Sequence, residues 1–310
     1  MTNIAPEIEE DEAFAPPPPI DTGHIELKWL DVAYASQSAS QKLDIYLPDK
    51  GDGPFPVIVS IHGGAWMFGD KGDIMNLHFL EGLKRGFAVV CMNYRLSGES
   101  KFPKQIYDCK AAVRFLRANA ETYHLDVERI AAWGASAGAH LAALLGTSRK
   151  ARKLEDFTMG NPLFSSAVHA VVDWYGPTES FLKMDEQLIA SGMGQPDHSS
   201  PESPESLLLG QPITEVPNLV RFASPMTYIK ANMPPFLIQH GLKDSIVPVQ
   251  QSLNFAAEIE RGAGAKRVTL EILNNAGHGD PLFETPQNVA RVLDFLEQHL
   301  KTVKSDTRRK

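Results

Sequence analysis

Hydrophobic and polar positions follow two periods along this chain. Over 25–34 and again over 41–47 (QKLDIYL), apolar and polar side chains alternate, as in antiparallel strands with one exposed face. The run 56–62 (PVIVSIH) is almost unbroken and rich in β-branched residues, the pattern of a strand buried on both faces. The segments 87–94 (FAVVCMNY), 129–134 (RIAAWG), 168–176 (VHAVVDWYG), 236–241 (FLIQHG) and 268–273 (VTLEIL) read the same way. Helices are predicted over 74–85, 103–120, 137–147, 248–261 and 286–302; the second carries Ile106, Cys109, Val113, Phe115 and Leu116 broadly at helical spacing. Strands alternating with helices of this length predict an α/β fold: a mostly parallel eight-stranded sheet with helices on both faces, led in by two antiparallel strands.

Three stretches fall outside that alternation. Residues 1–24 are acidic and then proline-rich, a tail or a cap that orders only against the body. Residues 177–230 separate two strands and scatter their apolar groups (Phe181, Leu182, Leu188 and 207–209), which predicts a lid inserted over the C-terminal edge of the sheet. A basic tail, 303–310, ends the chain, leaving one domain over 25–302.

Composition narrows the function classes. A formal net charge of −8 supplies no footprint for nucleic acid or for an anionic membrane surface. The first 14 residues hold five acidic groups and no apolar core of a secretory leader, and no apolar run approaches a membrane span, so a cytoplasmic protein is expected. The two cysteines, Cys91 and Cys109, fall in a strand and a helix pattern and read as small buried apolar groups. The ten histidines show no metal-ligand spacing, and no phosphate-cradling glycine motif occurs; no metal or cofactor is expected. The chain could form a homo-oligomer, and its expected partner is a small-molecule substrate.

The chemistry concentrates after four of the strands. Gly134-Ala135-Ser136-Ala137-Gly138 lies between a strand and a helix, where a sharp turn lifts the serine hydroxyl clear of the sheet. The helix N-terminus beneath Ser136 favours developing negative charge. His62-Gly63-Gly64-Ala65-Trp66 directly follows another strand, and its small residues suit backbone N–H groups aimed at an oxyanion. Gly63, Gly64, Ala65 and Ala137 are therefore candidate donors, although a glycine pair after a strand can also be only a tight turn. His278 sits in a glycine-flanked loop (Asn275-Ala276-Gly277-His278-Gly279) beyond the last strand and is the candidate base. Asp244, in the loop after 236–241, is the candidate acid that would orient it, with Asp173 and Asp280 as competitors and a helix N-cap as its plain alternative role. His240 is read as structural, His62 as a turn stabiliser, and Arg95 with Asp108 as a brace. Trp66, Trp174 and Tyr175 are the candidate walls of a substrate pocket.

Together these residues resemble the α/β-hydrolase superfamily over about 25–302, with its order of serine, acid and histidine. The resemblance is greatest to the carboxylesterase branch that includes feruloyl-esterase-like and acetyl-xylan-esterase-like proteins. It is carried by LDIYLP (43–48), HGGAWMFGDK (62–71), NYRLS (93–97), GASAGAHLAALLG (134–146), DWYGPT (173–178), PPFLIQHGLKDSIVPV (234–249) and AGHG (276–279). The neighbouring hormone-sensitive-lipase branch shows HGGG and GDSAG where this chain has HGGA and GASAG. GASAGAHLA is also similar to the nucleophile region of arylformamidases, which open an N-formyl amide. The resemblance thus implies a serine esterase for short- to medium-chain carboxylic esters working through Ser136, with a small-amide hydrolase as the alternative.

Overall fold

The computed structural model describes residues 18–301; the first 17 residues of the expected N-terminal tail and all of 303–310 lie outside it. The eight strands form in chain order as β1 (Lys28–Ala33), β2 (Lys42–Tyr46), β3 (Phe55–Ile61), β4 (Ala88–Met92), β5 (Leu125–Ala135), β6 (Ala170–Trp174), β7 (Phe236–Gly241) and β8 (Val268–Leu273). They make one sheet in the order β1-β2-β4-β3-β5-β6-β7-β8. β1 pairs antiparallel with β2 and β2 with β4; every other pair is parallel. With its helices this is the α/β-hydrolase fold.

Every residue of β3, β4, β6 and β7 is buried, which is why their sequences hold almost no polar alternation. Helices cover both faces: α1 (Glu81–Lys84), α2 (Lys104–Ala118), α3 (Ala137–Thr147), α4 (Met184–Ser191), α5 (Pro204–Leu209), α6 (Pro217–Ala223), α7 (Gln250–Ala263) and α8 (Pro286–Leu300). One core gathers Val57, Val59 and Ile61 of β3 with α2, α3 and α7; the other gathers Ile58, Val89 and Trp133 with α8. Successive residues of one strand thus feed opposite cores, as the two-residue strand period requires.

One predicted helix fails. Residues 74–85 form a 3₁₀ turn, Ile74–Leu80, and only then the four-residue α1. Two of the buried positions of that turn, Asn76 and His78, are polar, whereas the apolar Met75 and Leu77 face solvent, so the apolar residues do not gather on the buried side as a helix would need. The turn is pinned at its start, where Pro19 bridges to Asp73 and the Ile20 N–H donates to Gly72 O at 2.7 Å.

The inserted segment 177–230 folds as α4, α5, α6 and short 3₁₀ turns. Phe181, Met184, Leu208, Leu209, Ile213, Val220 and Ala223 enter the same core as α2, α3 and α7, so it is a packed layer of the domain. The Arg95 brace is present: its guanidinium meets Asp108 at 2.6 Å, and Gln41 donates to the same carboxylate at 2.8 Å. Cys91 and Cys109 are free and buried. Among the described residues, no helix is long and apolar enough to cross a membrane.

Candidate active site

The sheet order reverses at β3: the chain moves outward to β4 and returns to lay β5 on the other side. Crevices in α/β sheets open at such switch points, beyond the C-terminal ends of the strands. Two of the loops that carry candidate chemistry, 62–69 after β3 and the turn at Ser136 after β5, lie there.

Ser136 adopts φ 53° and ψ −120°, a conformation that turns the chain sharply from β5 into α3. Its N–H donates to Trp174 O at 2.8 Å, and its carbonyl accepts the His140 N–H at 3.0 Å. The turn is possible because position 138 has no side chain: a Cβ there would lie 2.0 Å from the Ile61 carbonyl oxygen. The same close approach presses the start of α3 against the end of β3 and brings the two loops together.

The 62–69 loop is built on left-handed backbone. Gly64 has φ 101°, followed by Ala65 at 52° and Trp66 at 58°, and Gly64 O accepts the N–H groups of Met67 and Phe68 at 2.8 and 3.0 Å. A Cβ on Gly64 would lie 2.2 Å from Phe68 O, so glycine is required there. His62 stacks on Tyr94 with ring centroids 4.5 Å apart, and its Nδ1–H donates to Gly63 O at 2.8 Å, the turn-stabilising place expected of it. Gly63 packs against the serine turn, its Cβ direction 3.1 Å from Ala135 O. Among the described residues, no protein acceptor takes the N–H of Gly64 or Ala65.

His278 joins the serine to an acid. Ser136 Oγ donates to His278 Nε2 at 2.9 Å, and His278 Nδ1–H donates to Asp244 Oδ2 at 2.8 Å. The other oxygen of Asp244 accepts the N–H groups of Ile246 and Val247, both at 2.9 Å. Burial alone would push the Asp244 carboxyl up, but hydrogen bonds from His240 and His278 outweigh it and hold the group well below the usual carboxylate range. Neither competing acid reaches the histidine's ring. Among the described residues, the Asp173 side chain accepts only the Gly176 N–H, at 2.9 Å, and Asp280 caps the 3₁₀ turn Pro281–Glu284.

The three expected pocket aromatics separate. Tyr175 stands edge-on to the His278 ring at 4.8 Å, with its own backbone at φ 47°. Against the sequence expectation, Trp66 and Trp174 are buried in the two cores and do not line an open pocket, and Tyr175 is itself only 7% exposed. Trp66 is 2% exposed and packs edge-on to His140 at 5.2 Å, behind the 62–69 loop. Trp174 points into the opposite core with Trp133 and Phe283, its Nε1–H donating to Gln239 Oε1 at 2.6 Å. A cleft of ≈ 470 Å³ opens between α4 and the start of α7, lined by Glu179, Gln187, Met193, Pro248, Asn254 and Asp244, but by neither Ser136 nor His278. No sequence motif marked it, since its side chains come from segments far apart in the chain.

Comparison with known proteins agrees with this architecture. The chain is 32% identical over 271 residues to esterase LipQ of Mycobacterium tuberculosis, covering 86% of this chain and 61% of that protein. It spans about half to three-fifths of the length of the curated relatives that match most of this chain. Among solved structures, a truncated carbohydrate esterase from gut microbiota superposes with TM-score 0.80 at 30% identity, covering 92% of this chain and 100% of that one. A bifunctional GH43-CE protein of Bacteroides eggerthii gives 0.78 at 34% identity over 88% of this chain and 35% of its own. The sequence model of the BD-FAE family matches residues 43–259, from β2 into α7 and across the serine turn and the Asp244 loop; the chain belongs to the BD-FAE family of α/β-hydrolase-fold proteins.

Proposed function

We propose that this protein hydrolyses carboxylic esters through an acyl-enzyme on Ser136, with His278 as general base and Asp244 as its orienting acid. The observation that carries the reading is the unbroken hydrogen-bonded path from Ser136 Oγ through both ring nitrogens of His278 to Asp244. His278 Nε2 takes the hydroxyl proton as Oγ attacks the ester carbonyl. The resulting oxyanion meets the N–H groups at Gly64, Ala65 and Ala137 (with Gly63 shaping the approach), each worth about 3 kcal/mol in the transition state. The imidazolium returns its proton to the departing alkoxide, which leaves as the alcohol. Water, deprotonated by the same nitrogen, then releases the acid and regenerates Ser136. LipQ and the gut carbohydrate esterase are both named for ester hydrolysis, which supports the ester reading over the formyl-amide alternative.

Short acyl groups fit best. Tyr175, edge-on to the His278 ring at 4.8 Å, stands beside the relay and bounds the space next to it. Each added methylene gains roughly 0.8 kcal/mol until the wall is met, whereas overfilling costs about 1–3 kcal/mol. Activity on p-nitrophenyl esters should peak between acetyl and hexanoyl, and a kcat/KM still rising at dodecanoyl would overturn the closed pocket. Ser136→Ala should lower kcat by about 10⁶ with the fold intact, and a fluorophosphonate should label wild type at Ser136 but not the variant. A folded, fully active Ser136→Ala protein would refute the acyl-enzyme.

A further inference from the structure

Asp244 serves two histidines. Besides His278, the ring of His240, the penultimate residue of β7 and without solvent exposure, approaches the same oxygen: His240 Nε2 lies 3.2 Å from Asp244 Oδ2 and 2.9 Å from Val247 O. Both atoms accept only, so Nε2 carries the proton and divides it between them. On the far side of the ring, Nδ1 lies 2.7 Å from Ser252 Oγ of α7, whose hydroxyl donates to it and sets the tautomer. The Asp244 carboxylate thus takes backbone N–H groups on Oδ1 and a ring N–H from each side on Oδ2. The charged group facing His240 from the neighbouring strand is Asp173 of β6.

We infer that His240 is a positioning residue for hydrolysis: its Nε2–H, fixed by Ser252, holds the Asp244 oxygen that orients His278. This rests on the reading of Asp244 as the acid of the relay. Without that second donor the carboxylate is still held at Oδ1 but can rotate about its bond, so that Oδ2 and with it the His278 ring lose their alignment with Ser136. Alignment affects the chemical step and leaves substrate binding alone, so the effect belongs in kcat.

Two amide replacements separate this role from mere filling of space. His240→Gln places an N–H near the former Nε2 and keeps the donor to Asp244; His240→Asn places one near Nδ1, toward Ser252, and leaves Asp244 without it. With kcat counted per fluorophosphonate-titrated site, so that misfolded protein does not enter, His240→Asn should lose about tenfold or more, the scale seen when groups behind a functional ligand are removed, at unchanged KM. His240→Gln should stay near wild type. Equal kcat per site for the two variants, or a loss that appears in KM instead, would overturn the inference. Ester hydrolysis surviving in Ser136→Ala would instead overturn the underlying reading, an outcome that the His240 pair cannot imitate.

Discussion

Asp173 and Asp244 stand at the C-terminal ends of the adjacent strands β6 and β7, both at 0% exposure, and the fold treats them in opposite ways. Asp244 is surrounded by donors and is held as a carboxylate. Among the described residues, Asp173 has one donor, the Gly176 N–H, and its Oδ2 has no partner; burial pushes its carboxyl up to about 6. Depth is the same, so depth does not decide the charge. The number of N–H groups that reach the oxygens does. A buried acid with a full set of donors can stabilise an imidazolium beside it, whereas one left half-satisfied spends folding free energy to be ionised.

The largest effect that tests this contrast is on rate. Asp244→Asn should cost about 10⁴ in kcat, because His278 loses the acceptor that selects its tautomer. Asp173→Asn should leave kcat within about tenfold, since its side chain reaches neither His278 nor Ser136. Steady-state kinetics on a short-chain ester measure both, and a larger loss for Asp173→Asn at intact fold would reverse the assignment.

The next effect is on stability against pH, and the two residues differ in sign. Asp173 is raised in the folded protein, so folding binds an extra proton and stability falls as pH climbs from about 4 to 6, by about 3 kcal/mol in all. Asp244 is lowered, so its contribution is present above the ordinary carboxylate range and is lost only as pH falls below it. Urea unfolding of wild type and Asp173→Asn at pH 4 and pH 7 should show the decline in wild type and a much flatter profile in the variant. Matching slopes would show that Asp173 ionises freely.

The smallest effect belongs to Asp280. Asp280 accepts from Leu282 and caps a short turn, so Asp280→Ala should cost about 1 kcal/mol of stability, with kcat little changed. The Gly277 N–H also donates to Asp280 Oδ2 at 3.3 Å, so a collapse of kcat in a folded Asp280→Ala protein would mean that this bond positions His278.

Much of the site was legible because its signals are local. A glycine–x–serine–x–glycine between a β-branched run and a helix specifies its own turn through steric exclusion, and the 137–147 helix formed with those bounds. The β7 loop and the glycine-flanked loop after β8 also announced Asp244 and His278. Loop position favoured Asp244 over Asp173, which ends the neighbouring strand, but sequence patterns could not show that the two would differ in charge. Their difference rests on backbone N–H groups whose directions no residue type reveals.

By itself, the sequence determined the strand and helix periods, the order serine–acid–histidine and the small residues at 63–65 and 138, because periodicity and backbone sterics act over a few neighbouring positions. Only the tertiary structure decided which side chains face the crevice. Trp66 and Trp174 read as pocket walls in a line of residues, yet strand alternation and the packing of α3 and the 177–230 layer bury both. The structure alone also brought His240 and Ser252 to the back of Asp244, since those contacts depend on how β7 and α7 lie against each other in space.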